Sequence, residues 1–485
     1  MTISHHIGAE TAAAAPPPLV VDLDGTLIRS DVLAESFLRL AVASPWRAAR
    51  ALLALKDGKA ALKAEIARRQ PIDVDLLPLN EDVLALIAAR RSAGGAVWLA
   101  SASNARYVQA LADHLGLFDG VFASDDRVNL SGEAKAAALV AAFGDKGFDY
   151  VGDAAADLAV WACCRQAIVI GASGGVERRL AALRPDFQRQ GGRPGLGRAA
   201  LRALRPHQWL KNLLVFVPPL AGHAFDIRLA HAAIAFVAFS LTASSVYLLN
   251  DLVDLPADRR HPRKRRRPLA SGALPIGVGA ALVAPLLLVA LGLALTLPAK
   301  FLFVLAAYYV LTLAYSFRLK RVMVADVVTL ACLYGARLAA GGAASNVPIS
   351  TWLEALAIFL FLSLALVKRC AELQDRLDHG QGDPVGRDYR LSDLPALQAM
   401  AAASGYISVL VMALYLSGDA VSRMYAKPHA LWLICVVMLY WISRIVLKTV
   451  RGEMHDDPVI FAATDPVSLA CAGVVGASVV AAMVL

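Results

Sequence analysis

The chain has 485 residues, 58% of them hydrophobic, and a formal net charge of +9, with a mean hydropathy of +0.56. Its length suggests two or more domains, and its apolarity excludes an ordinary soluble protein. The basic excess reads as loop charge on one face of a membrane, so nucleic acid is not expected as a partner.

The opening "MTISHHIGAETAAAAPPP" has neither a basic flank nor an apolar run. Residues 1–17 are therefore read as a disordered lead-in rather than a secretory signal. The next segment, "PLVVDLDGTLIRSD", is a β-branched run that stops at Asp22-Leu23-Asp24-Gly25-Thr26. Such a strand delivers Asp22 and Asp24, both on one side, to its C-terminal end, where open α/β sheets place their sites. Residues of about 31–90 read as a helical cap carrying Arg39, Arg47, Arg50, Lys56, Lys59 and Lys63. Most of these cations are expected on a solvated face, with one or two turned to an anionic substrate. A later strand, "AVWLAS", ends at Ser101, and "SGEAK" supplies Lys135. A third, within "FDYVGDAAADLAV", ends at Gly152-Asp153, with Asp157 four residues on. Adjacent Cys163 and Cys164 belong to a set of six cysteines without zinc spacing, read as reduced thiols.

Phosphoryl transfer through an aspartyl intermediate needs this inventory. One carboxylate attacks, a neighbour handles protons, others hold Mg²⁺, and a hydroxyl and an ammonium neutralise phosphate oxygens. The ordered set resembles the haloacid dehalogenase (HAD) superfamily over about residues 18–190. That resemblance implies an α/β Rossmannoid sheet with a helical cap. It makes Asp22 the nucleophile, Asp24 the general acid/base, and Ser101 and Lys135 the phosphate contacts. The implied Mg²⁺ set is Asp22, Asp24, Asp153 and Asp157.

The regular pattern breaks down in "RQGGRPGLGRAALRALRPHQWLKN", where glycine and arginine mark a boundary. Residues 18–195 thus read as the head, 196–212 as linker and juxtamembrane segment, and 213–485 as an all-α membrane body. Nine spans are expected, at about 213–226, 230–250, 273–297, 301–317, 325–345, 352–367, 396–417, 428–445 and 464–485, measured against the roughly 20 residues a crossing needs. The first is short and carries Pro218 and Pro219. Eighteen Lys/Arg fall in loops after even-numbered spans, and only Arg228, Lys300, Arg423 and Lys427 in the opposite loops. This asymmetry predicts an integral inner-membrane protein with its head on the cytoplasmic side.

The second span ends in "NDLVDLPADRRHPRKRRRPLASG". Asp251, Asp254 and Asp258 fall on one helix face beside Asn250. Three carboxylates at a membrane border repel one another unless a cation sits among them, and Mg²⁺ suits hard oxygens with a phosphorylated substrate completing its shell. Seven Lys/Arg follow, Arg259 to Arg267. Most are expected to anchor topology, and two or three, with Lys264 and Arg267 as candidates, to hold phosphate oxygens. Pro256 is expected to kink or end the helix within the motif.

"NDLVDLPAD" with its Arg-Pro element resembles the UbiA superfamily of intramembrane prenyltransferases over about residues 200–485. A second Asp-x-x-x-Asp motif is absent in clean form. In its place "LVKRCAELQDRLDHG" offers Lys368, Arg369 and Glu372, followed by Asp375 and Asp378. Together with "RPHQWLKN" and "YSFRLK", these elements look like the branch of polyprenyl-phosphate phosphoribosyltransferases. That branch implies phosphoribosyl pyrophosphate as donor, a polyprenyl phosphate lipid as acceptor, and Lys368 and Arg369 as binders of the donor's second anion. Lys211 is a further pocket candidate, as are Lys320 and Arg337, whereas Tyr315 reads as interfacial belt. A phosphatase head on the same face would then remove the 5-phosphate. The alternatives are a prenyltransferase using a prenyl diphosphate and an aromatic or lipid acceptor, or a lipid-binding or transport protein with a degenerate head.

Overall fold

The computed structural model describes residues 16–192, 195–384, 386–418, 421, 425–454 and 457–484. Residues 1–15 of the expected lead-in, and Arg423, lie outside the described residues. The chain divides into two compact units. One comprises the described residues up to Ala203 together with Leu248–Leu282. The other comprises Leu204–Tyr247 and the described residues from Val283 onward.

The first unit is built on six parallel strands: β1 (Leu19–Asp22), β2 (Val97–Asn104), β3 (Gly120–Ser124), β4 (Asp149–Gly152), β5 (Gln166–Val169) and β6 (Gln188–Arg189), in the order β3-β2-β1-β4-β5-β6. Leu19, Val20, Val21 and Asp22 are all buried, because helices cover both faces of the sheet. Val21 pairs with Leu99 on β2 and Val151 on β4. Strand order reverses at β1, so Asp22 emerges at the switch point where such sheets bind ligands.

Between β1 and β2 lie α1 (Val32–Ala43), α2 (Pro45–Ala51) and α3 (Lys59–Arg69). Asp31 caps α1 through the Ala34 amide at 2.8 Å. Leu40, Ala48, Ala51 and Ile66 give these helices a small core of their own. The helix Glu81–Ser92, expected within the cap, instead buries Val83 and Ile87 against the sheet.

Eight helices among the described residues are long and apolar enough to cross a membrane, from Ile227–Val253 to Pro466–Met483. The first of the nine expected spans, at 213–226, does not form as a helix of that length. Pro206–Phe216 winds as a 3-10 segment and Val217–Ala221 as a five-residue helix. Two consecutive prolines remove two backbone donors there, and the polar "HQWLKN" precedes them. The helix Thr351–Asp378 conversely overruns its expected end at 367 and carries Lys368, Arg369 and Glu372 within it. The second unit has two main cores, one around Phe239, Phe301 and Tyr308, the other around Tyr334, Phe361 and Leu366.

Candidate active sites

At the end of β1 the Asp22 carboxylate accepts from Lys135 Nζ at 2.6 Å, and the same ammonium reaches Tyr150 Oη at 3.0 Å. Tyr150 donates to Asp157 at 2.7 Å, and Asp157 lies 3.5 Å from Lys135. Thr26 donates to Asp153 at 3.4 Å. Asp22, Asp153 and Asp157 each offer an oxygen within 4.8 Å of the others. These are hard donors converging from two adjacent strand ends, a set that fits Mg²⁺. Burial pushes the Asp22 carboxyl well above its ordinary value, against the pull of Lys135. Burial alone would lower the Lys135 ammonium, but Asp22 and Asp157 outweigh it and hold it above its usual range.

The Asp24 side chain is not part of that three-aspartate group. Its carboxylate accepts from the Val32 amide at 2.8 Å, Ser103 Oγ at 2.7 Å and Ser101 Oγ at 3.2 Å, away from the three-aspartate group. One residue of twist and the turn at Gly25, where φ is +81°, send the two aspartates to different partners. Burial raises Asp24 to about 6, and repulsion from Asp31 adds to it. A carboxyl there suits proton transfer near neutrality. Ser101 therefore orients Asp24. Of the six cap cations, Lys63 reaches the site, donating to the Ala102 carbonyl at 2.5 Å and Asn129 at 2.8 Å. Sequence reasoning misses Ser103 and Tyr150. The signal for Ser103 is its two-residue spacing from Ser101, hidden when the strand is ended at Ser101.

The acidic-basic loop belongs to the same unit. The helix Ile227–Val253 ends within the motif, and Leu255–Arg260 begins a new one with Pro256 in its first turn. This is the break expected from proline. Asn250 is half-buried, its carbonyl accepting from the Asp254 amide at 2.8 Å. Arg267 Nη1 lies 3.1 Å from Asp251 and 2.6 Å from Asp258. The sequence predicts three aspartates around a metal ion. Here the cation between two of them is Arg267, while Asp254, half-buried, caps the break. Burial pushes the Asp258 carboxyl up, with Arg267 opposing. Lys264 sits on the exposed turn Lys264–Arg266. Arg259, expected as anchor or ligand contact, is spent on Glu35 at 2.7 and 2.8 Å.

The second unit holds a separate charged cluster. Lys211 pairs with Asp457, and Lys368 Nζ lies 3.8 Å from the same carboxylate. Arg369 is fully buried, paired with Asp326 at 2.6 Å and with Glu372, and lies over the Tyr389 ring. Arg387 bridges Glu372 at 3.3 Å and Asp326 at 3.4 Å. Arg369 and Glu372, expected to bind substrate, are ion-paired with each other and Arg369 with Asp326, whereas the Lys368 side chain keeps 29% of its surface. Tyr315, read as belt, donates to Asp326 at 2.9 Å. Arg337 donates to Asn212 at 2.9 Å and stacks against Phe239, Tyr308 and Tyr334. Lys320 lies on the turn Leu319–Arg321. Sequence reasoning also misses Asp326, Arg387 and Asp457. Asp457 has a signal, since Asp-Pro marks a helix start, and it caps Pro458–Thr464.

The family model for the UbiA prenyltransferase family matches residues 216–462, and that for haloacid dehalogenase-like hydrolases matches residues 19–161. A Sinorhizobium fredii protein, y4nM, is 34% identical over 472 residues, covering 96% of this chain and 91% of that protein. The nodulation protein NoeC of Azorhizobium caulinodans is 39% identical over 274 residues, 56% of this chain and 88% of that one. A decaprenyl-phosphate phosphoribosyltransferase of Mycolicibacterium smegmatis is 41% identical over 180 residues, 36% of this chain and 57% of its own length. Among solved structures, a UbiA homolog from Archaeoglobus fulgidus bound to GPP and Mg²⁺ aligns over 58% of this chain and 99% of that one, at 17% identity and a TM-score of 0.44.

Proposed function

The chain belongs to the UbiA prenyltransferase family and carries a haloacid dehalogenase-like hydrolase domain, and from this premise we propose a bifunctional membrane enzyme. Its body transfers 5-phosphoribosyl from phosphoribosyl pyrophosphate to a polyprenyl phosphate. Its head then removes the 5-phosphate, leaving polyprenyl-phosphoryl-ribose. The observation that carries this reading is the second unit's charge pattern: Lys211 and Lys368 converge on one carboxylate, Asp457. A donor with both a diphosphate and a 5-phosphate calls for such cations beyond those of the acidic-basic loop. Similarity to the decaprenyl-phosphate phosphoribosyltransferase supports it.

In the transfer, a lipid phosphate oxygen forms a bond to the ribose anomeric carbon. The bond from that carbon to pyrophosphate breaks, and pyrophosphate leaves with the electron pair. Asp251 and Asp258, whose oxygens already converge on one cationic nitrogen, would with Asp254 hold Mg²⁺. The ion supplies charge neutralisation to the diphosphate when bound. Lys264 and Arg267 hold phosphate oxygens, and Lys368 takes the 5-phosphate. In the head, Asp22 attacks the phosphorus, Asp24 gives its proton to the leaving O5′, and Asp24 then takes a proton from the water that releases phosphate. Lys135 stands beside Asp22 to offset phosphate charge. Asp22, Asp153 and Asp157 would hold the head's Mg²⁺.

That head and acidic-basic loop share one unit supports placing them on one face of the membrane. The surplus of Lys/Arg on that face supports assigning it to the cytoplasmic side of the inner membrane.

Membranes containing the protein, given labelled phosphoribosyl pyrophosphate and polyprenyl phosphate, should yield pyrophosphate, phosphate and a pentosylated lipid by mass spectrometry. Pyrophosphate release only from a prenyl diphosphate with an aromatic acceptor would replace this reading with conventional prenyl transfer.

A further inference from the structure

The acidic-basic loop is not a free cytoplasmic segment near a tethered head. It is fastened to the head at three points, all within the first unit. Arg259 Nη1 and Nη2 donate to the two Glu35 oxygens at 2.8 and 2.7 Å, in a fork-to-fork pair. The side chains keep 5% and 2% of their surface. Arg259 Nε donates to the Ala270 carbonyl at 3.0 Å, which closes the loop on itself. Gly272, at φ +73°, lies so close to the Arg29 backbone that a Cβ there would stand 2.3 Å from its carbonyl oxygen. Arg260 adds a solvent-facing pair with Asp73 at 2.8 Å. The Arg259–Glu35 pair is buried and bidentate, and the Gly272–Arg29 approach leaves no room for a Cβ, which separates them from incidental surface pairing.

Both fastened residues on the head side flank the hydrolase site. Arg29 follows the turn that carries Asp24. Glu35 sits one turn into α1, whose first amide, that of Val32, binds the Asp24 carboxylate at 2.8 Å. One rigid helix thus grips the head's acid/base at its N-terminus and the loop's Arg259 a turn later. On the loop side, Arg259 adjoins Asp258, which shares Arg267 with Asp251.

We propose that Glu35 is a positioning residue for the transfer reaction, acting through Arg259 to hold the Asp251–Arg267 loop in the arrangement that binds diphosphate. The head is then a structural part of the transferase site, and its presence in the chain does more than raise a local phosphatase concentration. The inference rests on the transfer reading given above, but its physical core, docking of the loop through Glu35, is measurable without any turnover.

The test uses the full chain in detergent or membranes. Glu35→Gln keeps size and removes the charge, Glu35→Asp keeps the charge on a shorter arm, and Gly272→Ala attacks the second contact independently. Hydrogen exchange of residues 255–273 should quicken about tenfold or more in Glu35→Gln and in Gly272→Ala, and less in Glu35→Asp. Transfer kcat should fall about tenfold or more in the same order. Hydrolysis of p-nitrophenyl phosphate by the head should stay within about twofold. Unchanged loop exchange and unchanged transfer in Glu35→Gln would overturn the proposal, as would a fall in hydrolysis in step with transfer, which marks general damage to the head. If the wild type forms no pentosylated lipid, the transfer reading fails, while faster exchange in Glu35→Gln would still establish the docking.

Discussion

The hydrolase site of the head and the acidic-basic loop are both clusters of aspartate and basic side chains, yet they are held in different ways. Asp22 ends β1, Ser101 lies within β2 and Asp153 directly follows β4, three adjacent parallel strands, so sheet register sets their spacing. Asp251, Asp258 and Arg267 lie around a break between two helices, and their arrangement depends on ion pairs, one of them to a residue 224 positions away. A site built on strand ends keeps its geometry when one charge is removed. A site built on a loop depends on each tie.

The largest effect separates the two sites by chemistry. Asp22→Asn, isosteric but far less nucleophilic, should lower the head's hydrolysis on the order of 10⁴-fold or more, the scale of losing a nucleophile. With the sheet intact, transfer should persist, so the lipid should gain the mass of a 5-phosphate over the wild-type product. Equal lipid masses in variant and wild type would show that the head does not act on the body's product.

Asp251→Ala should in turn lower transfer by roughly 10²–10³-fold, the range for removing one electrostatic stabiliser of a transition state. It also leaves Arg267 with Asp258 alone. Hydrolysis of a generic phosphate ester should continue. Retained transfer would remove the loop from the diphosphate site and leave the second unit's cluster as the candidate.

The same contrast explains what is legible in the sequence. Strand ends are marked by a β-branched run meeting an acidic or glycine residue, which picks out Asp22, Asp24 and Asp153 directly, while Ser101, Lys135 and Asp157 are found only from the order of the segments that carry them. Eight apolar helices are equally plain, since each carries its own signal. The docking of Arg259 on Glu35 is not legible. An ion pair between distant segments leaves no local pattern, and a run of seven cations disguises the one that is buried. The brace of Arg369, Arg387, Asp326 and Glu372 is hidden for the same reason, and a helix that continues well past the expected span end obscures it further.

Lys368 tests whether the second unit behaves as a ligand site or as another brace. Lys368→Ala should raise the donor KM by roughly 10–100-fold, the worth of a charge-assisted hydrogen bond, with the acceptor KM little changed. The reverse pattern would assign the residue to the lipid phosphate. Arg369→Ala should instead lower the melting temperature and the yield of folded protein, because it leaves the buried Asp326 carboxylate with only the longer Arg387 pair and the Tyr315 hydroxyl.

The smallest effect lies inside the strand-built site. Ser103 donates to Asp24 Oδ2 at 2.7 Å, a shorter bond than the 3.2 Å one from Ser101 to the same oxygen. Ser103→Ala removes that donor and leaves Ser101 and the Val32 amide in place. A hydrogen bond to a charged acceptor contributes about 1.5 kcal/mol at the low end, so kcat for hydrolysis should drop about tenfold, with KM nearly constant because the serine need not touch substrate. Ser103→Thr, which keeps the hydroxyl on β2, should recover most of the rate. Because strand register and two remaining bonds still orient Asp24, the loss should fall well short of that from Asp251→Ala on transfer. A drop on the order of 10³-fold would mean that Asp24 depends on a single side-chain tie, as the loop does, and that the two sites are not held as differently as their strands and turns suggest.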